Sequence, residues 1–249
     1  MNFSPRRAAV VLAAALSCAL GQATTAHAII GGAPAHPASY PWLGAIGSPA
    51  FATRPGGQFC AGSLIAPDRV LTAAHCALTA KGLPFTTVTF GRGDVAAGGG
   101  ITVPVTDIRL HPKFSIALYG LDLAYRYDVA ILVLKTPVNL PTVKFGVPHG
   151  HSATIVGWGA TSEPDQSNTA LRSATVPLLS DDRCITPYGD QYDPSTALCA
   201  GSPTADTGEY DSGGPLLVDG ELVGITSWAK GDGEPGYPGV YQRIPPLNF

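Results

Sequence analysis

Between residues 63 and 244 short apolar runs alternate with stretches rich in glycine, proline and polar residues. Runs at 63–65, 86–90, 101–108, 129–134, 153–156, 174–179, 215–218, 222–227 and 240–244 have strand length and strand composition, and none sustains a helical period. Asp219-Gly220 separates two of them by two residues, the spacing and composition of a tight antiparallel hairpin. Pro137, Pro141 and Pro148 interrupt the pattern across residues 135–150, and strand-like series lie on both sides. The pattern predicts an all-β chain with an N-terminal β-domain at 29–140 and a C-terminal β-domain at 141–249.

Composition agrees. Only 13% of the 249 residues are charged, while 30 glycines and 23 prolines suit short strands joined by tight turns. The first residues read differently: Arg6 and Arg7 precede an apolar run at 8–20, and Ala26-His27-Ala28 places small residues at the cleavage-defining positions. This is the pattern of a secretory signal peptide over residues 1–28, and its apolar run is too short to span a bilayer. A secreted protein with no membrane attachment after leader cleavage is expected. Losing two arginines with the leader takes the formal charge from −3 to −5, and no basic patch suggests nucleic acid. Cys60, Cys76, Cys184 and Cys199 remain, an even number that implies two disulfides in an exported chain. No CxxC pair or spaced histidines accompany them, so neither a metal nor a cofactor is expected.

Four motifs carry candidate chemistry. In Leu71-Thr72-Ala73-Ala74-His75-Cys76 a histidine is pinned at a strand end. Alone it reads more readily as structural. In Tyr127-Asp128-Val129-Ala130-Ile131-Leu132 a carboxylate begins an apolar strand, either as a solvated cap or as a buried acid that needs a partner. Asp211-Ser212-Gly213-Gly214-Pro215 offers an alcohol, which becomes a nucleophile only beside a base, and glycines that let backbone N–H groups approach a substrate carbonyl. Ile29-Ile30-Gly31-Gly32 follows the leader.

Together and in this order the motifs resemble the chymotrypsin–trypsin family, from Ile29 to about Arg243. Cys60-Ala61-Gly62-Ser63-Leu64-Ile65, Gly157-Trp158-Gly159, Leu198-Cys199-Ala200-Gly201, Ser227-Trp228 and Pro238-Gly239-Val240-Tyr241 extend the likeness. The resemblance implies two six-stranded antiparallel β-barrels with an active site between them, and a monomeric serine endopeptidase acting on proteins or peptides and meeting proteinaceous inhibitors. It implies Ser212 as nucleophile, His75 as general base, Asp128 as its orienting partner, and the backbone N–H groups of Ser212 and Tyr210 as the oxyanion hole. Disulfides Cys60–Cys76 and Cys184–Cys199 follow from the same likeness. So does a pocket with Asp206 at its base, selecting Arg or Lys, and Thr207, Ser227, Trp228, Ala229 and Gly239 around it. An ion pair between the Ile29 ammonium and Asp211 would order the oxyanion loop. Signal peptidase cleavage after Ala28 would create that ammonium directly, whereas cleavage after Ala23 would leave a five-residue propeptide at 24–28.

Several positions depart from the family pattern. Gly208 and Asp232 stand where a cysteine pair usually links the nucleophile loop to the pocket wall, and Ala229 replaces a pocket glycine. Tyr210 replaces the oxyanion glycine, where a side chain disfavours the usual backbone conformation and crowds the leaving-group side. After Ile244 the family continues into a helix, but this chain reaches only Phe249, so apolar surface on the second barrel is expected to be left uncovered. Two other readings stay open: a catalytically weak or inactive homologue acting as a binding protein, and a protease of different side-chain preference.

Overall fold

The β-branched runs pair with their neighbours along the chain. In the computed structural model, which describes residues 29–119, 122–162 and 167–249, fifteen strands are formed. They are β1 (Ala33–Pro34), β2 (Leu43–Gly47), β3 (Gln58–Ala66), β4 (Arg69–Thr72), β5 (Thr87–Phe90), β6 (Ile101–Leu110), β7 (Ser115–Tyr119) and β8 (Asp122–Arg126). The remainder are β9 (Ala130–Leu134), β10 (Ser152–Gly157), β11 (Arg172–Pro177), β12 (Ala197–Ala200), β13 (Pro215–Val218), β14 (Glu221–Trp228) and β15 (Gly239–Arg243). Strands β2-β3-β4-β9-β6-β5 close an antiparallel barrel in that order, and closure leaves no edge exposed. Ile46, Leu64, Val70, Val88, Phe90 and Leu132 are wholly buried in its core. Gly44 is needed there, because a Cβ at this position would lie 2.4 Å from the Val88 side chain.

The second sheet runs β1-β11-β10-β13-β14-β15-β12. An isolated Leu178–Ala200 bridge, with Leu179 N donating to Cys199 O (3.0 Å), joins the far end of β11 to β12. Six strands thereby close a second barrel, and β1 pairs beside it on Arg172 and Ser173. Ile155, Val176, Leu198, Leu216 and Tyr241 fill its core. The larger apolar cluster extends from the first barrel to Val156, Trp158, Leu217, Leu222 and Ile225 of the second. The barrels therefore share buried surface, and that fixes the cleft between them. The Asp219-Gly220 turn forms as the sequence suggests, with both residues at positive φ (51° and 78°) and Val218 paired to Glu221.

The structure adds two helices where the apolar pattern suggested none, α1 (Ala74–Gly82) and α2 (Asp181–Tyr188). The buried positions of α1 are Ala74, Cys76, Ala77 and Ala80, small residues that leave no apolar stripe in the sequence. His75 accordingly lies in the first turn of a helix just past the end of β4, not on the strand. Helix α2 follows Ser180 and carries Asp181 and Asp182 in its first turn, where the helix dipole favours negative charge. Disulfides Cys60–Cys76 and Cys184–Cys199 tie α1 to β3 and α2 to β12. Past β15 the chain forms no helix; Ile244, Leu247 and Phe249 pack against the larger apolar cluster, with Phe249 edge-on to His111 at 5.0 Å. Among the described residues, no helix is long and apolar enough to cross a membrane.

Candidate active site

Strand β4 ends at Thr72, whose hydroxyl donates to Ala61 O (2.7 Å), and the chain turns there into α1. That turn presents His75 to the cleft, with the Cys60–Cys76 disulfide beside it. Asp128 precedes β9 after a backbone reversal at Tyr127, which has φ 51°. The Asp128 carboxylate is fully buried and fully engaged. Oδ1 accepts the His75 backbone N–H (2.9 Å), and Oδ2 accepts His75 Nδ1–H (2.7 Å) and the Ser227 hydroxyl (2.6 Å). Its own N–H donates to Gln242 Oε1 (2.7 Å), and Gln242 Nε2 is held by Thr196 O (2.8 Å). An acid from the first barrel is thus positioned by β14 and β15 of the second. On the other side, Tyr125 stacks on the His75 ring at 4.9 Å, so the imidazole plane is fixed from two directions.

Ser212 sits on the turn before β13. Its carbonyl accepts from Ala61 N (2.8 Å), and Gly213 N donates to Thr226 O (2.9 Å), so both barrels anchor the turn. Gly213 (φ 77°) admits no side chain: a Cβ would fall 2.2 Å from Thr72 Oγ1 and 2.4 Å from Ala61 O. His75 and Ser212 line one cleft of about 650 Å³ together with Cys60, Tyr125, Tyr210 and Ser227. No hydrogen bond joins Ser212 Oγ to His75 Nε2, a contact that commonly tightens only around substrate. His75 Nε2 lies 3.5 Å from Cys76 Sγ. The donor atoms of Cys60, Cys76 and His75 come together, but the disulfide leaves no thiolate to hold a metal ion.

Tyr210 adopts φ 74°, the left-handed region that the glycine of the family pattern would take without strain. For a residue with a Cβ this costs about 1–2 kcal/mol. Tyr210 lines the cleft; the Arg54 guanidinium lies over its ring at 4.1 Å and the Phe51 ring meets it at 6.3 Å, edge-on. A cation over an aromatic face contributes about 0.5–2 kcal/mol, enough to offset that strain. Ser212 N–H has no protein acceptor among the described residues and so remains open to an incoming oxygen.

Asp211 is buried, with Oδ1 accepting Gly159 N–H (2.7 Å) and Oδ2 accepting Gly208 N–H (3.0 Å), and burial pushes its carboxyl up to about 7. Ile29 is also buried, but in the 249-residue chain its nitrogen is peptide-bonded and forms no ion pair with Asp211. Of the expected pocket residues, Thr207, Ser227, Trp228 and Ala229 line the cleft. Asp206 and Gly239 are buried beside Thr207, where Asp206 Oδ1 accepts Thr207 N–H (2.8 Å) and Oδ2 accepts Gly239 N–H (3.1 Å). Burial pushes Asp206 up to about 7 as well. Ser227, expected only as a pocket wall, also spends its hydroxyl on Asp128. Where the family's cysteine pair would join two loops, Glu209 N donates instead to Asp232 Oδ2 (3.1 Å).

Tyr125, Gln242, Gln58 and Arg54 escaped the sequence reading. Gln242 had a signal, being a polar residue in the apolar strand Val240-Tyr241-Gln242, and such a residue needs an internal partner. The others had none.

Comparison with protein families matches the family described as Trypsin over residues 29–248. A trypsin from Saccharopolyspora erythraea is 38% identical over 224 residues, covering 87% of this chain and 93% of that protein. Serine protease 56 from Homo sapiens is 39% identical over 241 residues, 89% of this chain but 38% of that longer protein. Among solved structures, neuropsin, a serine protease expressed in the limbic system of mouse brain, superposes with a TM-score of 0.75 at 30% identity, covering 87% of this chain and 95% of its own.

Proposed function

From the premise that this chain belongs to the trypsin family of serine endopeptidases, we propose an active, secreted enzyme that cleaves after Arg or Lys through an acyl-enzyme on Ser212. The observation that carries the reading is the closed Asp128–His75 pair facing the same cleft as Ser212. With Nδ1–H donated to Asp128, the other ring nitrogen, Nε2, is left unprotonated to take the proton of the seryl hydroxyl as Oγ attacks the scissile carbonyl. The imidazolium that forms is stabilised by the buried carboxylate, and the carbonyl oxygen, now an anion, is received by the N–H groups of Ser212 and Tyr210. His75 returns the proton to the leaving amine, and water repeats the cycle on the acyl-enzyme.

Labelling tests this. A serine-directed organophosphorus probe adds one equivalent of mass on Ser212 of the protein beginning at Ile29, and Ser212→Ala takes up none; an unlabelled parent protein would favour the non-catalytic reading.

Preference for basic side chains rests on Asp206, with Glu209 and Asp232 adding negative charge to the cleft lining. A carboxyl raised to about 7 is protonated below that pH and then offers a cationic side chain no counter-charge. The ratio of kcat/KM for Arg over Phe or Ala chromogenic peptides therefore falls below pH 7, by up to about tenfold per pH unit. Asp206→Asn lowers the Arg value by at least about thirtyfold and flattens that dependence. A Phe or Ala peptide preferred at pH 8 would remove Asp206 from the scheme.

A further inference from the structure

The oxyanion loop of this chain carries a side chain where its family pattern has none, and the surroundings of that side chain are specific. Tyr210 holds φ 74° while three residues of one first-barrel segment touch it. Phe51 meets its ring edge-on, Arg54 covers its face at 4.1 Å, and Gln58 Nε2 donates to its carbonyl oxygen (2.9 Å). Arg54 is 4% exposed and is itself tied across the barrel interface, with Nη2 donating to Trp158 O and to Asn168 O (2.7 Å). Gln58 is 1% exposed, and its Nε2 also donates to Cys60 O (3.1 Å), coupling the loop to the cysteine that braces His75. A residue in a sparsely populated backbone region persists only where its environment over-determines it, and here ring and carbonyl are both held.

We infer that Arg54, with Gln58 and Phe51, is a positioning residue that clamps Tyr210 in the left-handed conformation and so keeps the Tyr210 N–H directed at the oxyanion. The clamp acts on turnover and not on substrate affinity, because the oxyanion exists only once the carbonyl has been attacked. It is needed only while residue 210 has a side chain, since glycine takes positive φ unaided. The inference rests on the hydrolytic reading above, and the test separates the two.

The experiment is a double-mutant cycle on the protein beginning at Ile29, with kcat and KM measured on an Arg peptide and Ser212 titrated with the organophosphorus probe. Arg54→Leu is expected to lower kcat by about ten- to a hundredfold, short of the full loss of an oxyanion donor, with KM within about twofold. The same substitution in a Tyr210→Gly background is expected to change kcat by less than about threefold, because there is no side chain left to clamp. Equal losses of kcat in both backgrounds would show that Arg54 supports the fold generally and would overturn the inference. So would a loss confined to KM. If Arg54→Leu does not fold, Gln58→Met runs the same cycle through the carbonyl contact, with the same two outcomes. Failure of the parent protein to label or hydrolyse would overturn the hydrolytic reading and the clamp together. Labelling without dependence on residue 210 would overturn the clamp alone.

Discussion

Replacing Asp128 with asparagine lowers kcat about ten-thousandfold while KM stays within a few-fold and the fold persists. Asparagine keeps the shape of the side chain but not its capacity to accept. Asp128 Oδ2 receives two donors, His75 Nδ1–H and Ser227 Oγ–H, while Oδ1 receives the His75 backbone N–H. An amide oxygen can serve one side of that arrangement, and the amide NH₂ then faces a donor. The least costly relief is for His75 to move its proton from Nδ1 to Nε2, since the ring can then accept from the amide. An imidazole protonated at Nε2 cannot take the proton of Ser212. Steady-state kinetics with circular dichroism check the result; a variant that retains more than about a tenth of kcat would show that the Asp128–His75 contact is structural and not part of the proton transfer.

The second large effect concerns where the chain begins relative to Ile29. Protein beginning at Ile29 is expected to be active, and protein beginning at Thr24 to be at least a hundred- to a thousandfold less so, the loss associated with an unformed oxyanion donor, roughly. Asp211 lies immediately after Tyr210 and immediately before Ser212, so whatever partner it takes sets the loop that bears both N–H groups. While residue 29 is peptide-bonded, the Asp211 carboxyl is buried with two backbone N–H donors and has its pKa raised to about 7 by burial. Ionising it inside the fold is costly unless a cation is brought in, and a free Ile29 ammonium would be that cation.

The same change reverses a stability trend. A carboxyl whose folded pKa exceeds its unfolded value stabilises the fold fully below the unfolded pKa of about 3.9, and that contribution disappears as pH rises through 7. Urea midpoints of Ser212→Ala protein starting at Thr24 should therefore decline between pH 5 and pH 8 more than those of the same variant starting at Ile29. Asp206 contributes equally to both forms and cancels in the difference. Identical activities, or identical pH trends, would reject the proposed pairing of Ile29 with Asp211.

Most strands and the Asp219-Gly220 hairpin were legible because alternation and turn chemistry are local. Strand β2 was not, since all five of its positions are buried and two are glycine, so no alternation marks it. Helix α1 was hidden by its alanines, and the β7–β8 hairpin by an apolar pattern that does not follow its burial, with Ile116, Leu118 and Leu123 exposed and the small Ala124 buried. Each reflects packing by distant residues overriding the local signal.

By itself the sequence determined the chemical inventory: an alcohol followed by two glycines, a histidine beside a cysteine, an acid at the start of an apolar run, and four cysteines after residue 28. These are properties of residue type and short spacing, which covalent order carries in full. Only the tertiary structure decided that Asp128 is held by Ser227 and Gln242, that Tyr125 stacks on His75, that Asp206 accepts the Gly239 N–H, and that Arg54 covers Tyr210. Each of those contacts crosses between segments far apart in the chain or between the two barrels, and such pairings exist only after the apolar cores have closed and fixed the distances.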